Sequence, residues 1–206
     1  MDLKIFKSNE YINANDLKNK FINYDFYLQE KKDISLFHVN SIKEDVYHMV
    51  FKIDEELTTT SRYVKQINKM PLNIYINTFL YLDNNVICIE NIYSEYFNLI
   101  IEELKSLINI EYFEYNFNQK KLVDIINNKS NRVLQCDFEI DESIVSYENM
   151  DKIKYSIENN EDIYYINLTP KIEEYKNVLI SIKKNGEINI KANIPLVLIK
   201  LIKYLL

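Results

Sequence analysis

Two histidines carry the side chains of this chain best suited to proton transfer or metal binding near neutral pH. They fall in neighbouring apolar runs, Ile34–Val39 and Val46–Ile53. Paired as a hairpin across Asn40–Asp45, the runs set His38 opposite His48 on one face, within side-chain reach. That pair is one candidate metal site, with Glu44 and Asp45 near it in the turn. A second is Asp137, Glu139 and Asp141, which alternate along a strand end and so point to one face, opposite Phe138 and Ile140. Carboxylates stacked in this way bind a cation or face water. A magnesium-dependent nuclease also needs a converging lysine, and none follows at that spacing. The strings His38-Val39-Asn40 and His48-Met49-Val50 lack the hydroxyl residue that marks two-histidine phosphoesterases. No catalytic nucleophile emerges: the serines are scattered, and neither cysteine has a histidine near it in sequence.

The chain holds one glycine, Gly186, in the turn-like string Lys184-Asn185-Gly186. Phosphate-cradling loops, dinucleotide fingerprints and nucleophile elbows each need several glycines at fixed spacing, so these classes are excluded. With a net charge of −6, the whole-molecule field opposes nucleic acid and anionic membrane. Only two arginines are present, Arg62 and Arg132, and arginine is the preferred residue for bidentate phosphate and guanine contacts. Nucleic acid is therefore a disfavoured partner, and no cofactor is indicated.

Ile, Asn, Lys and Tyr are abundant because their codons are AT-rich. Such usage fits a low-GC bacterium or its phage, a setting in which a host-conflict role is the expectation. Cys88 and Cys136 lie in apolar strand-like runs, which reads as buried, reduced and inert. The start, Met-Asp-Leu-Lys-Ile-Phe, lacks the apolar region of a signal peptide. No apolar stretch reaches membrane-spanning length. A cytoplasmic location is the expectation.

The elements that must position these residues alternate without a long linker. Strands are expected at 2–7, 24–29, 34–39, 46–53, 73–82, 86–90, 111–117, 131–140, 162–168, 178–183 and 187–191. Helices are expected at 14–22, between Thr58-Thr59-Thr60-Ser61 and Pro71, from a Ser94 cap to about Asn109, at 119–128, and from Pro195 onward. Residues 144–160 read as ambiguous. Short turns between strands give an α+β fold, a mainly antiparallel sheet with helices packed on it. One domain, 1–206, is expected, with two sub-halves at 1–117 and 131–206. Each half carries strand, Asn-containing turn, strand, helix, the form of two hairpin-plus-helix halves from an internal duplication.

The terminal helix is apolar almost all round, since only Lys200 and Lys203 interrupt it. Leu198, Leu201, Ile202 and Leu205 are thus the candidate partner-binding residues, and a homodimer is the expected assembly through them. The composite reading is a non-enzymatic module that binds a macromolecule, most simply a protein. A metal-dependent enzyme of nucleic-acid metabolism is the alternative.

Overall fold

The computed structural model describes residues 1–22, 33–43, 45–60, 67–192 and 194–206. In chain order the first elements are β1 (Asp2–Lys7), α1 (Ala14–Ile22), β2 (Ile34–Lys43), β3 (Val46–Thr60), β4 (Ile67–Tyr81), β5 (Val86–Glu90) and α2 (Tyr96–Ile108). There follow β6 (Phe113–Glu114), α3 (Gln119–Asp124), a π-helical turn at Ile125–Lys129, β7 (Ser130–Ile140), β8 (Ser143–Tyr147) and α4 (Met150–Glu158). The last are β9 (Asp162–Pro170), a 3-10 turn at Glu173–Tyr175, β10 (Ile180–Lys183), β11 (Glu187–Ile190) and α5 (Pro195–Leu205). Helices combined with antiparallel sheet make this an α+β protein. No helix among the described residues is long and apolar enough to cross a membrane.

The chain forms two compact units, a middle one of Lys7–Tyr112 and a terminal one of Met1–Phe6 with Phe113–Leu206. The expected sub-halves, 1–117 and 131–206, differ from these units in the placement of β1 and of residues 113–117, and they leave out 118–130, which belongs to the terminal unit. In the middle unit the strand order is β2-β3-β4-β5, with antiparallel neighbours. Alternation decides the core: Tyr47, Met49, Phe51 and Ile53 point to one face of β3 and are buried. Helix α2 packs against β2 and buries Phe97, Ile100, Leu104 and Ile108, the helical-period stripe of its sequence. It ends at Asn109, whose left-handed conformation (φ 58°) lets its N–H bond the Lys105 carbonyl.

In the terminal unit the order is β1-β11-β10-β9-β7-β8, with β6 on β1. Ile163, Ile166, Leu168, Ile180, Ile182, Ile188 and Ile190 are buried from β9 to β11. The side chain of Asn118 caps α3 by accepting from Lys121 N, and that of Asn149 caps α4 by accepting from Asp151 N. The one glycine sits at a close approach of two backbone segments. Gly186 has φ +83°, its carbonyl accepts from Ile5 N at 3.0 Å, and Ile5 O accepts from Tyr115 N at 3.1 Å. A Cβ at position 186 would lie 2.0 Å from the Tyr115 carbonyl oxygen.

Several elements differ from the sequence reading. The helix expected between Thr58 and Pro71 is replaced, in its described parts, by long strands: β3 continues to Thr60, and β4 begins at Ile67. The β-branched threonines extend the strand, and Pro71 lies inside β4 for a reason that the hydrogen-bond phase supplies. Asp54 N points away from β4 to bond Asp33 O at 2.9 Å, so even-numbered β3 residues face outward from this pair. Pro71 pairs with Glu56, so its nitrogen also faces the outer edge, where no ladder bond is lost. The expected strand 24–29 and residues 61–66 lie outside the described residues. Ser94 is not the helix cap: Glu95 holds that position without a side-chain bond. The ambiguous 144–160 region resolves into most of β8 followed by α4, and the expected strand at 111–117 shrinks to Phe113–Glu114.

Candidate functional site

The candidate histidines share a face of the sheet, but they are not a facing pair. β-Bulges after Leu36 and after Ser41 shift the β2–β3 register, so His38 lies opposite Val50 and His48 opposite Asn40. The two imidazoles are therefore diagonal on one face, with His38 exposed. His48 is already engaged. Its ring stacks on Phe79 at 5.0 Å, and its Nε2 lies 2.9 Å from Asn77 Oδ1. The Asn77 amide in turn donates to Glu90 Oε2 at 2.7 Å. With the amide nitrogen committed to a carboxylate, Asn77 Oδ1 must accept, so the proton of His48 sits on Nε2. This relay of carboxylate, amide and imidazole fixes the tautomer and orientation of His48 on the sheet.

The carboxylate trio is not assembled as expected either. Asp137 accepts from Gln135 Nε2 at 2.8 Å, and Glu139 lies in register with Asp162 on β9. The alternation ends at Ile140. Asp141 (φ 47°) and Glu142 (φ 62°) form the two-residue turn between β7 and β8, a conformation with both central residues left-handed. Asp141 thus leaves the strand face that Asp137 and Glu139 share. Among the described residues no three His, Cys, Asp or Glu side chains converge where they could hold a metal ion.

The candidate partner face of α5 is turned inward. Leu198, Leu201, Ile202 and Leu205 are all 2% exposed or less, while Lys200 and Lys203 stay in water as their spacing requires. An almost wholly apolar helix gains most from burying its widest face, and here the protein's own core receives it. The helix end is held by Lys121 Nζ to Leu206 O and Lys129 Nζ to Tyr204 O, each at 2.6 Å. Both cysteines are free and buried, and burial pushes the Cys136 thiol up to about 12.

A further stretch of exposed apolar surface lies on a feature that sequence reasoning missed. The β3–β4 pair runs from Val46↔Tyr81 to Thr60↔Ile67. Its neighbours stop early, β2 at Ile34↔Ile53 and β5 at Thr78↔Ile89. The seven pairs from Asp54↔Asn73 to Thr60↔Ile67 form a two-stranded arm with no strand beside it among the described residues. At about 3.4 Å per residue the arm is roughly 24 Å long. Its two faces differ. One carries Asp54, Glu56 and Lys69, with ion pairs Lys69–Glu56 at 2.6 Å and Lys52–Asp54 at 2.7 Å. The other prolongs the core face of the sheet: beyond Ile53 come Glu55 and Leu57, opposite Leu72 and Met70. Leu57 is 45%, Met70 51% and Leu72 40% exposed.

The base of this stripe meets the first turn of α2. The Tyr96 hydroxyl donates to Glu55 Oε1, and Tyr93 packs edge-on to Tyr96 with ring centroids 5.7 Å apart and planes at 84°. The bond to Glu55 is the main reason the Tyr96 hydroxyl is pushed up to about 12, with burial and the charges of Glu55 and Glu95 adding to it. Sequence held a signal for this stripe, Leu57 and Met70-x-Leu72 at strand spacing beyond an acidic run. Pro71 masked it by suggesting a helix stop.

The chain matches no family model and no curated protein. Its class is given by the fold alone, an α+β protein with an antiparallel β-arm carrying an apolar face.

Proposed function

We propose that this protein is a non-enzymatic protein-binding module that engages its partner through the β3–β4 arm. The observation that carries this reading is the Leu57–Met70 pair with Leu72 beside it, half-exposed on strands that no other strand flanks among the described residues. An isolated two-stranded ribbon is at best marginally stable in water, and a contiguous apolar face on it marks an interaction surface. The held His48, which is not joined by a nucleophile or by two further metal ligands among the described residues, suits a sheet-ordering role.

The test is to compare wild type with a Leu57→Ser/Met70→Ser double variant as tagged baits in one lysate, after checking that both melt at the same temperature. The wild type is expected to retain species that the variant releases. Identical retained sets would overturn the reading.

The two-halves arrangement belongs to the same proposal. Each unit holds a hairpin followed by a helix: β4–β5 with α2, and β10–β11 with α5. In both the turn contains a left-handed residue, Asn85 (φ 52°) or Gly186 (φ 83°). The pairs Leu80↔Ile87 and Ile182↔Ile188 occupy equivalent positions, as do Thr78↔Ile89 and Ile180↔Ile190. A short strand and a helix precede each set, β1–α1 and β6–α3. Duplication of one half, with β8–α4 inserted in the second, accounts for this order.

A further inference from the structure

We infer that the occupant of the arm is a basic amphipathic segment of a partner protein, its aliphatic side chains on Leu57, Met70 and Leu72 and a cationic side chain at the corner formed by Glu55, Tyr93 and Glu95. This rests on the protein-binding reading and adds the chemistry of the partner to it. The charge on the two faces of the arm is the argument. Lys52 and Lys69 lie on the opposite face, where they neutralise Asp54 and Glu56. At the base of the apolar stripe, Glu55 accepts from the Tyr96 hydroxyl and the charge of Glu95, at the start of α2, acts on the same hydroxyl, while residues 96–102 of α2 contain no Lys or Arg. An apolar stripe that ends at two carboxylates complements a segment with apolar and basic residues, and it repels an acidic one.

The corner also suits a cation by shape. Tyr93 is 50% exposed and stands at 84° to Tyr96, so an exposed aromatic ring adjoins the hydroxyl that Glu55 holds. An ammonium or guanidinium there gains both the ring quadrupole and the carboxylate field. A second copy of this chain fits less well. Three half-exposed side chains fall well short of the roughly 800 Å² per partner that a standard interface buries. Parallel stripe-to-stripe contact would also bring the Glu55 carboxylates of the two copies together. A single segment avoids both costs: a helix of about fourteen residues spans about 21 Å, close to the length of the arm.

The experiment is a fluorescence-anisotropy titration of the full-length protein with two labelled helical peptides of about fourteen residues. They share one leucine face, and the polar face is lysine in one and glutamate in the other. Three variants accompany the wild type: Met70→Ser on the stripe, Glu95→Lys at the corner, and Glu158→Lys, an exposed site on α4 in the other unit. The lysine peptide is expected to bind the wild type and to lose about tenfold in affinity with Met70→Ser, since one buried methionine is worth about 1.4 kcal/mol or more. Glu95→Lys weakens it severalfold, and Glu158→Lys, with the same change in net charge, leaves it unchanged. If the glutamate peptide binds as tightly and is equally sensitive to Met70→Ser, the basic-partner inference falls and the arm remains a docking surface. If neither peptide binds, or if Met70→Ser changes nothing and both charge reversals act alike, the inference and the arm reading fall together.

Discussion

Single residues in this protein are fixed by what their neighbours leave them. Gly186 is the sharpest case, because two independent constraints meet there. Its φ of +83° costs any other residue about 1–3 kcal/mol, and a Cβ would overlap the Tyr115 carbonyl oxygen at 2.0 Å. Gly186→Ala is therefore expected to lose about 3 kcal/mol in urea denaturation, and Gly186→Asn nearly as much. Asparagine tolerates the left-handed region, so an asparagine variant as stable as wild type would rule out the close approach of the Tyr115 backbone. His48 shows the same logic in a polar setting. Its two partners, Asn77 and Phe79, lie on β4, far from it in sequence, and the β3–β4 register alone brings them to it.

At the scale of elements, the decisive property is which face each strand or helix finds covered. Helix α5 and the β3–β4 arm are opposite outcomes of the same hydrophobic bookkeeping. The helix is the more apolar of the two and is buried, so Leu201→Ala is expected to cost about 2–5 kcal/mol through lost burial and a cavity. Leu196→Ala, at an exposed position of the same helix, should change stability by less than about 0.5 kcal/mol. Thermal melts of the two variants read this directly. If Leu201→Ala changed the oligomeric state and left the melting temperature alone, α5 would be an interface after all. The arm is less apolar and yet exposed, because its flanking strands stop near Ile53 and Thr78 while its own pairing continues.

For the whole molecule, pH response follows from groups that the fold strips of water. Burial, with Lys121 adding to it, pushes the Lys129 amine down to about 8 from its ordinary 10.5. Between those values the unfolded chain binds more protons than the folded one, so the contribution of Lys129 to stability rises with pH across that window. Burial acts in the opposite sense on Tyr81, Tyr112, Cys88 and Cys136, whose acids are all pushed up. Their contribution is present below their ordinary 9.0–10.0 and is lost as pH climbs beyond it. The difference in unfolding free energy between wild type and Lys129→Met should therefore move in favour of wild type from pH 8 to pH 10. A difference that stays flat over this range in urea titrations would show that Lys129 keeps its ordinary pKa.

Local physics was legible in the sequence, and coverage was not. Alternation and helical period placed the hairpins at 73–90 and 178–191, the helix after Ser94 and the one from Pro195, because the side chains that form those patterns are neighbours along the chain. The lone glycine announced its turn for the same reason. Other features depended on residues that meet only when strands pair. The β2–β3 register set His38 opposite Val50 and not His48, and a left-handed turn took Asp141 off its strand. An outward-facing nitrogen let Pro71 sit within β4, so two strands run where a helix was expected. Sequence determined which surfaces are apolar. The tertiary structure alone decided that α5 finds a cover and the arm does not, since cover is supplied by elements distant in the chain.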